Sequence, residues 1–402
     1  MIEPLPYQIE VIKIGGSVLN SVIGFRQMVD IVKLRLHGLQ VAAPAGGRLV
    51  VVVSAFANTT RTLETACRLA ELGDIQGALS GCSELMLLHR SLVQELMPES
   101  AAGEALITLL ASVEMEIRQV LRGIATVRQC TPRSLDRVLA MGELLALHIS
   151  KHVISDSGIN AGWADARRFV VTSGTFGAAE PLVERTGAMV RTHVWPLLQT
   201  FDCLVTQGFV GATSDGIVTT MGKESSTLTA TLLAELLDAT SVTLFTDVNG
   251  VRSADPKVVD STICHHRLSF QQAELAAHHG LKLLYPTTIG PAWRAAIPVS
   301  IVNAFHPSGE STTISSDGPT RAPIVIIKHV ENMLARVTLC LASPREALIV
   351  LGQLATEFDT AGTWHVTANP TEPIVSVALP HDQAVSVALR MHEMILSPLR
   401  QD

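Results

Sequence analysis

Short apolar runs rich in β-branched residues alternate with longer amphipathic stretches along most of the chain. The run RLVVVVSAF at 48–56 is apolar almost throughout, which is typical of a strand covered on both faces of a sheet. The predicted strands are 9–14, 49–54, 202–207, 241–246 and 298–303. The predicted helices are 59–72, 75–96, 101–126 and 131–152. Strands that alternate with helices favour an α/β fold with a largely parallel sheet.

Two stretches depart from simple alternation. Three of the predicted helices follow one another without a strand, so we expect a helical subdomain inserted at about 60–130. Ser214-Asp215-Gly216 separates two short β-rich runs and predicts a β-hairpin over 211–220.

The composition changes near 307–325, where Ser, Thr, Gly and Pro dominate, and this change indicates a boundary. Beyond it the pattern has a β-α-β-β-α order. Ser343 and Pro344 suit the cap and the first position of the first of these helices. The order is shared by small ferredoxin-like domains in general, and it resembles the ACT fold, a small ligand-sensing module.

Composition narrows the classes of function. A chain of 402 residues suggests two or three domains, and its net charge of −7 argues against nucleic acid as the main partner. Six scattered cysteines without C-x-x-C spacing argue against a zinc site or a disulfide framework, and favour a reducing cytoplasm. We expect no membrane span, because no apolar stretch reaches about 18 residues. We expect no signal peptide either, because a basic segment before an apolar one is missing.

Candidate chemistry starts where the first strand ends. Lys13 is followed by Gly15-Gly16-Ser17, and paired glycines after a strand let backbone N–H groups reach an anionic ligand beside a lysine. The segment matches neither the Walker A pattern nor the dinucleotide fingerprint. A second glycine-rich region spans 208–257 and contains Thr246-Asp247 at a strand end and a turn at Asp255-Pro256-Lys257.

Taken together, these blocks resemble the aspartokinase branch of the amino-acid kinases over about 8–315. The blocks are KIGGS (13–17), VVVSAFANTT (51–60), MGELLA (141–146), DAR (165–167), FGAAEP (176–181), GFVG (208–211), TTMGKESS (219–226), TDVNGV (246–251), ADPK (254–257), KLLYPTTI (282–289), IPV (297–299) and NAF.P (303–307). The resemblance implies an α/β, amino-acid-kinase-like fold at 1–315, with a mainly parallel sheet sandwiched by helices. It also implies a small α+β ACT-like (ferredoxin-like) domain at 323–402.

The resemblance implies ATP- and Mg²⁺-dependent phosphorylation of the side-chain carboxylate of L-aspartate, the first step towards lysine, threonine and methionine. A carboxylate is already ionised at neutral pH, so this reaction needs positioning and charge neutralisation rather than a general base. The resemblance further implies a cytoplasmic homodimer whose C-terminal domain takes an amino-acid effector, lysine or threonine.

Site residues carry over from the matching blocks. Lys13 and Lys223 are expected to be catalytic, and Glu143 is expected to hold the substrate ammonium. The residues expected at the nucleotide are Gly15, Gly16, Ser17, Thr246, Asp247, Arg252, Asp255, Lys257 and Lys282. The residues expected at the amino-acid substrate are Ser54, Thr60, Glu143 and Lys223. Asp165 and Arg167 match a supporting block, and no residue is assigned to a metal.

The departures from the family pattern are concentrated in one block, where the family usually reads LGRGGSD and this chain reads MGKESST at 221–227. Lys223 replaces an arginine and keeps the charge without the bidentate geometry. Glu224 and Ser225 replace two glycines. Downstream, Arg252 replaces a tyrosine and Tyr285 replaces a histidine. Two alternatives therefore stay open: a kinase for another amino acid or small acid, and a catalytically weak paralogue that senses an amino acid and regulates a partner.

Overall fold

The structure is a computed structural model that describes residues 7–42, 46–56, 58–281, 283–319, 322–330, 334–357, 365–368 and 372–399. The chain separates into two compact units, 1–247 and 248–402. The division lies upstream of the boundary expected between 315 and 323. The reason is that Ala254 and Val259 belong to the same buried cluster as the C-terminal strands.

A parallel sheet forms the centre of the first unit. The strands of this unit are β1 (Gln8–Ile14), β2 (Gly47–Val53), β3 (Ala161–Ala164), β4 (Cys203–Gln207), β5 (Val210–Ala212), β6 (Val218–Thr220) and β7 (Ser241–Thr246). Five of them are parallel in the order β3-β4-β2-β1-β7. Ile14 pairs with both Val53 and Phe245, and Val53 pairs with Gln207. The carboxyl ends of β1, β2, β4 and β7 are therefore level, which is where α/β proteins bind ligands.

Helices surround this sheet. They are α1 (Val22–Ala42), α2 (Thr59–Leu72), α3 (Ile75–Leu96), α4 (Ala101–Val127), α5 (Pro132–Asp156), α6 (Val183–His193), α7 (Trp195–Thr200) and α8 (Ser225–Leu237). Helix α8 packs on β1, β2 and β7, and α5 packs on β2, β3 and β4. The predicted helices α2 to α5 are confirmed to within a few residues, and so is the predicted hairpin, formed by β5 and β6.

Side-chain caps explain why α3, α4 and α5 begin where they do. Asp74, Ser100 and Thr131 each accept a hydrogen bond from a backbone N–H in the first turn of the helix that follows. Pro132 occupies the first turn of α5, where no N–H partner is lost.

Helix α5 is long and apolar enough to cross a membrane by length and composition alone. In the folded unit, 67% of its most apolar 18-residue window is buried. The burial identifies it as a core helix, and it carries two buried carboxylates, Asp136 and Glu143, on its inner face.

The second unit contains three neighbouring strands, β8 to β10, and a C-terminal module with an antiparallel sheet. Its elements are β8 (Arg267–Ser269), α9 (Phe270–His278), α10 (Gly290–Arg294), β9 (Val299–Asn303), β10 (Ser311–Ser315), β11 (Ile324–His329), β12 (Leu334–Cys340), α11 (Pro344–Glu357), β13 (His365–Ala368), β14 (Ile374–Pro380) and α12 (Ala384–Leu399). Strand β10 lies between β9 and β8. The segment expected to be only a boundary therefore contains a strand, because Thr312 is buried and hydrogen-bonds Val251 N and His265 O.

The C-terminal module has the predicted β-α-β-β-α order, from β12 to α12, with one added strand. Strand β11 precedes that order and pairs with β12, so the antiparallel sheet runs β11-β12-β14-β13. Its buried face packs under α11 and α12. The module is thus a small α+β domain, as predicted.

Candidate active site

The predicted phosphate turn closes the end of β1. Gly15 N donates to Phe245 O at 2.9 Å, which fixes the turn against β7. A Cβ added to Gly15 would lie 3.3 Å from Phe245 O and 3.6 Å from Lys13 Nζ. The lysine amine therefore lies directly over the Gly15 backbone. Glycine at 15 keeps side-chain atoms out of the space between the lysine amine and the Phe245 carbonyl.

The predicted Thr246-Asp247 pair lies beside this turn. Ser17 Oγ donates to Asp247 Oδ1 at 3.0 Å, and Thr246 Oγ1 donates to the same oxygen at 3.2 Å. The structure therefore brings the predicted phosphate turn and the predicted acidic strand end together in one unit.

Glu143 lies in the interior, at 3% exposure, next to the end of β2. Its Oε2 accepts a hydrogen bond from Ala55 N at 2.7 Å, so it is held beside Ser54 and the start of α2. Gly142 makes this approach possible, because a Cβ there would lie 2.7 Å from Thr59 Cγ2. Thr59 Oγ1 is buried and has no hydrogen-bond partner among the described residues. It is therefore a polar group near Glu143 that a ligand could bind.

Burial shifts the charge states of Lys13 and Glu143 in opposite directions. Burial raises the pKa of Glu143 to about 8, although the Ala55 hydrogen bond and the Lys13 charge both act to lower it. Burial lowers the pKa of Lys13, and the charges of Glu224, Glu143 and Asp247 act in the opposite direction. The site therefore holds a carboxylate that ionises readily only when a further cation approaches.

Residues 221–227, the block that departs from the family pattern, contain the turn before α8 and its first three residues. Gly222 and Glu224 both adopt left-handed backbone conformations, with φ of +84° and +62°. The left-handed region costs a non-glycine residue roughly 1–2 kcal/mol, which explains why glycine is the usual choice here. Lys223 and Glu224 are exposed, whereas Ser225 is buried and its Oγ donates to Gly222 O at 2.6 Å.

The first turn of α8 is packed against the end of β4. A Cβ on Gly208 would lie 2.5 Å from Ser226 Cα, so only glycine permits this approach. Phe209, the next residue, also has a left-handed backbone, with φ of +69°. Strain of this kind clusters at functional sites.

Two supporting networks surround the site, and sequence reasoning missed most of their members. Asp136 Oδ2 accepts from Gly177 N and Thr220 N, and its Oδ1 accepts from Thr220 Oγ1. The sequence feature that could have indicated Asp136 is its position, seven residues before Glu143 on the same face of an apolar helix. This carboxylate ties α5 to the β5–β6 hairpin.

The predicted Asp165–Arg167 pair forms the second network. Arg167 binds both oxygens of Asp165, and Gln207 Nε2 donates to Asp165 Oδ1 at 2.6 Å. Burial acts to raise the pKa of Asp165, but the hydrogen bonds and charge of Arg167 outweigh it and lower that pKa. The pair is an internal support at the end of β4.

The remaining predicted nucleotide residues belong to the second unit. Asp255 Oδ1 accepts from Lys257 N at 3.0 Å, which forms the predicted turn, and Lys257 is exposed. Arg252 pairs with Glu310 and donates to Thr262, so its described contacts lie within this unit. Its assignment to the nucleotide stays a prediction. Lys282 lies outside the described residues.

Comparison with known proteins gives a consistent classification. The model of the amino acid kinase family matches residues 8–303. Lysine-sensitive aspartokinase 3 of Escherichia coli K12 is 28% identical over 284 residues, which are 69% of this chain and 62% of that protein. An aspartokinase of Chlamydia pneumoniae is 32% identical over 178 residues, which are 44% of this chain and 40% of that protein. The chain thus spans less than two thirds of the length of these relatives.

Solved structures agree on the fold. The crystal structure of E. coli aspartokinase III with lysine and aspartate has a TM-score of 0.75 at 21% identity and covers 96% of this chain and 99% of that one. The crystal structure of the same enzyme with aspartate and ADP has a TM-score of 0.69 at 24% identity and covers 94% of this chain and 80% of that one.

Replacing Glu143 by glutamine should stabilise the protein in a pH-dependent way. The pKa of Glu143 rises from an ordinary value near 4.5 to about 8 on folding. The stability contributed by Glu143 is therefore fully present below about pH 4.5 and is lost as the pH rises towards 8. Glu143→Gln should unfold like wild type at pH 5 and be more stable at pH 8, by about 2–4 kcal/mol.

Thermal and urea unfolding at pH 5, 6, 7 and 8 checks this expectation. Glu180→Gln, at an exposed glutamate, is the matched control and should track wild type. A stability difference that shrinks as the pH rises would contradict the assigned charge state of Glu143.

Proposed function

Since the chain belongs to the amino acid kinase family, we propose that it transfers the γ-phosphoryl group of ATP to the side-chain carboxylate of L-aspartate. The products are 4-phospho-L-aspartate and ADP. The observation that carries the proposal is the buried Glu143 beside Lys13, at the edge where β1, β2, β4 and β7 end. Two relatives are aspartokinases, and one structural neighbour binds aspartate and ADP, which favours these substrates.

The transfer makes a bond between a carboxylate oxygen and the γ-phosphorus and breaks the bond between that phosphorus and the β,γ-bridging oxygen. No proton moves, because the acceptor carboxylate is already ionised. Lys13 places a cation where two anions meet, and the backbone of Gly15 and Gly16 presents N–H groups to phosphate oxygens. The enzyme thus works by positioning and by charge neutralisation.

Mg²⁺ accompanies ATP in this proposal. Among the described residues, no group of three or more His, Cys, Asp or Glu side chains could hold a metal ion. The donor set suits Mg²⁺, which takes phosphate oxygens, water and one or two carboxylates rather than an all-protein cage. Asp247, at the end of β7, is the carboxylate we assign to it. When bound, the ion neutralises charge on the phosphates.

Glu143 and Lys223 recognise the two ends of the amino acid in this proposal. The ammonium of aspartate supplies the cation that Glu143 lacks, so the carboxylate ionises as the substrate binds. Lys223 is exposed at the start of α8 and meets the α-carboxylate as a point charge. Ser54 and Thr60 are partly exposed beside Ala55 and complete the acceptor pocket.

A kinase for another amino acid or small acid is the second candidate. The observation that favours it is Glu224, whose negative charge acts on Lys13 at the position where the family carries glycine. We place catalysis in 1–315 and regulation in an ACT-like module at 323–402. The free thiols of all six cysteines support a reducing, cytoplasmic setting.

Lys13→Met should lower kcat by about 10²–10³-fold, because a fixed cation at the transferring phosphoryl group is lost. Its melting temperature should stay close to that of wild type, since burial already disfavours the charged lysine. Lys33→Met, at an exposed lysine of α1, is the matched control and should retain full activity. Coupled ADP release measures both variants, and near-normal turnover of Lys13→Met would refute the catalytic role.

Discrimination between aspartate and succinate should grow with pH. Aspartate binds the ionised form of Glu143, whereas succinate has no ammonium and binds the protonated form. Around a pKa of about 8, the ratio of the two kcat/KM values should rise by up to roughly tenfold per pH unit. Glu143→Gln should remove this slope.

A coupled assay across an amino-acid and dicarboxylate panel, run from pH 6.5 to 8.5, tests both the slope and the substrate. A constant ratio would show that Glu143 does not hold the ammonium. Preference for a different acceptor would support the second candidate instead.

The C-terminal module should mediate dimerisation and effector sensing. Its helices expose apolar side chains, Leu348 and Ile349 on α11 and Val385 and Leu389 on α12, which suit a contact with a second copy. We expect a dimeric mass in sedimentation, and a shifted aspartate response on adding lysine or threonine. A monomeric mass, or titrations of both amino acids that change neither rate nor melting temperature, would contradict these roles.

A further inference from the structure

The Asp255-Pro256-Lys257 turn, called here the nucleotide turn, is built into the core of the C-terminal module. Ala254, just before the turn, and Val259, just after it, are 5% and 2% exposed. Both belong to the buried cluster formed by β12, β14, α11 and α12, and Val258 packs against it. The turn is therefore a short loop whose two ends are anchored in the module.

Ser253 provides a second, polar anchor. It is fully buried, and each of its polar groups is used. Its backbone N donates to Ile263 O at 2.9 Å, and its carbonyl accepts from Val325 N at 2.8 Å, at the start of β11. Its Oγ accepts from Ile263 N at 2.9 Å and lies 2.8 Å from Nε2 of His392. Ser253 thus joins the segment before the nucleotide turn to both β11 and α12.

His392 is the side-chain partner of Ser253 Oγ. A serine hydroxyl has one proton and two acceptor lone pairs, so Oγ accepts from Ile263 N and still has both a proton and a lone pair for Nε2; the tautomer of His392 sets which of the two is used. His392 is 1% exposed. Burial lowers its pKa, although Glu393 acts to raise it, and a lowered pKa maintains the neutral form at physiological pH.

We propose that Ser253 and His392 are positioning residues that hold the nucleotide turn in place, so that their hydrogen bond sets the affinity for ATP rather than for the acceptor. The inference rests on the proposed function and on the sequence-based assignment of Asp255 and Lys257 to the nucleotide. Its mechanism is local. Loosening α12 or β11 would free Ser253. The nucleotide turn, which begins two residues later at Asp255, would then shift.

Deleting the C-terminal module would not separate the positioning role of Ser253 and His392 from folding of the nucleotide turn. A chain without β11 to α12 would lose the partners of Ser253 and expose Ala254 and Val259. The expected result is loss of the nucleotide turn itself. Point variants in the full chain separate positioning from folding.

The test uses Ser253→Ala, His392→Phe and His392→Gln. Ser253→Ala and His392→Phe each leave a buried polar group without its partner, and each should raise the Kd for Mg·ADP and the KM for ATP by about tenfold. The kcat and the KM for aspartate should stay within about twofold. His392→Gln keeps a side chain that can donate to or accept from Ser253 Oγ, and it should restore most of the affinity. The double variant should be no worse than either single one, since both break one interaction.

Ser376→Ala is the matched control. It removes a buried hydroxyl bond of the same kind, between Thr338 Oγ1 and Ser376 Oγ at 2.9 Å, inside the same module. It should lower the melting temperature by a similar amount and leave Mg·ADP binding unchanged. If Ser376→Ala weakens Mg·ADP binding as much as Ser253→Ala does, the effect is general loosening and the proposal is overturned.

Lys257→Ala separates failure of the inference from failure of its premise. If Lys257→Ala leaves Mg·ADP binding unchanged, the nucleotide does not lie at the turn, and the premise is wrong. If Lys257→Ala weakens binding while Ser253→Ala and His392→Phe do not, the nucleotide lies at the turn and only the positioning role is overturned.

Discussion

Two titratable groups that have lost most of their water, Lys13 and Glu143, set the character of the first unit. Removing an ion from water is costly unless partners compensate. Glu143 has one backbone donor, Ala55 N. Three carboxylates act on Lys13, but they do not outweigh the effect of burial on its pKa. Both groups therefore lack full compensation in the folded protein, and the charged ligands of the proposed reaction would supply it. The buried core of β1 and β2, in which Val50 to Val53 are fully inaccessible, offsets the cost.

Rigid support explains how such a site stays in place. Asp136 fixes α5 to the β5–β6 hairpin, and the Asp165–Arg167 pair fixes the end of β4 through Gln207. Satisfied buried networks of this kind rigidify their surroundings. Glycine at 15, 142 and 208 then allows backbone and helix ends to approach more closely than any side chain would permit. Charge and close packing thus depend on each other here.

Local pattern predicted the elements well, and long-range contacts explain what it missed. Helices α2 and α3 match their predicted ranges because periodicity and turn residues encode them locally. Glu143 came from the family resemblance, since by itself it reads as an exposed helix residue. Strand β10 was missed because its Ser and Thr residues resemble a loop until tertiary partners satisfy them. The bond between Ser253 and His392 joins residues 139 apart, and no local pattern indicates it.

The shared core around Ala254 and Val259 also bears on how such chains diversify. A domain that docks through an exposed linker can be gained, lost or traded between genes with little repair. This module cannot, because part of its interior is supplied from a stretch of chain about 70 residues upstream. Inheritance of the two parts is therefore coupled, and a substitution in α12 has to be read together with its partner at position 253. A recombinant joined near residue 320 would bring together halves that had never been selected as a pair.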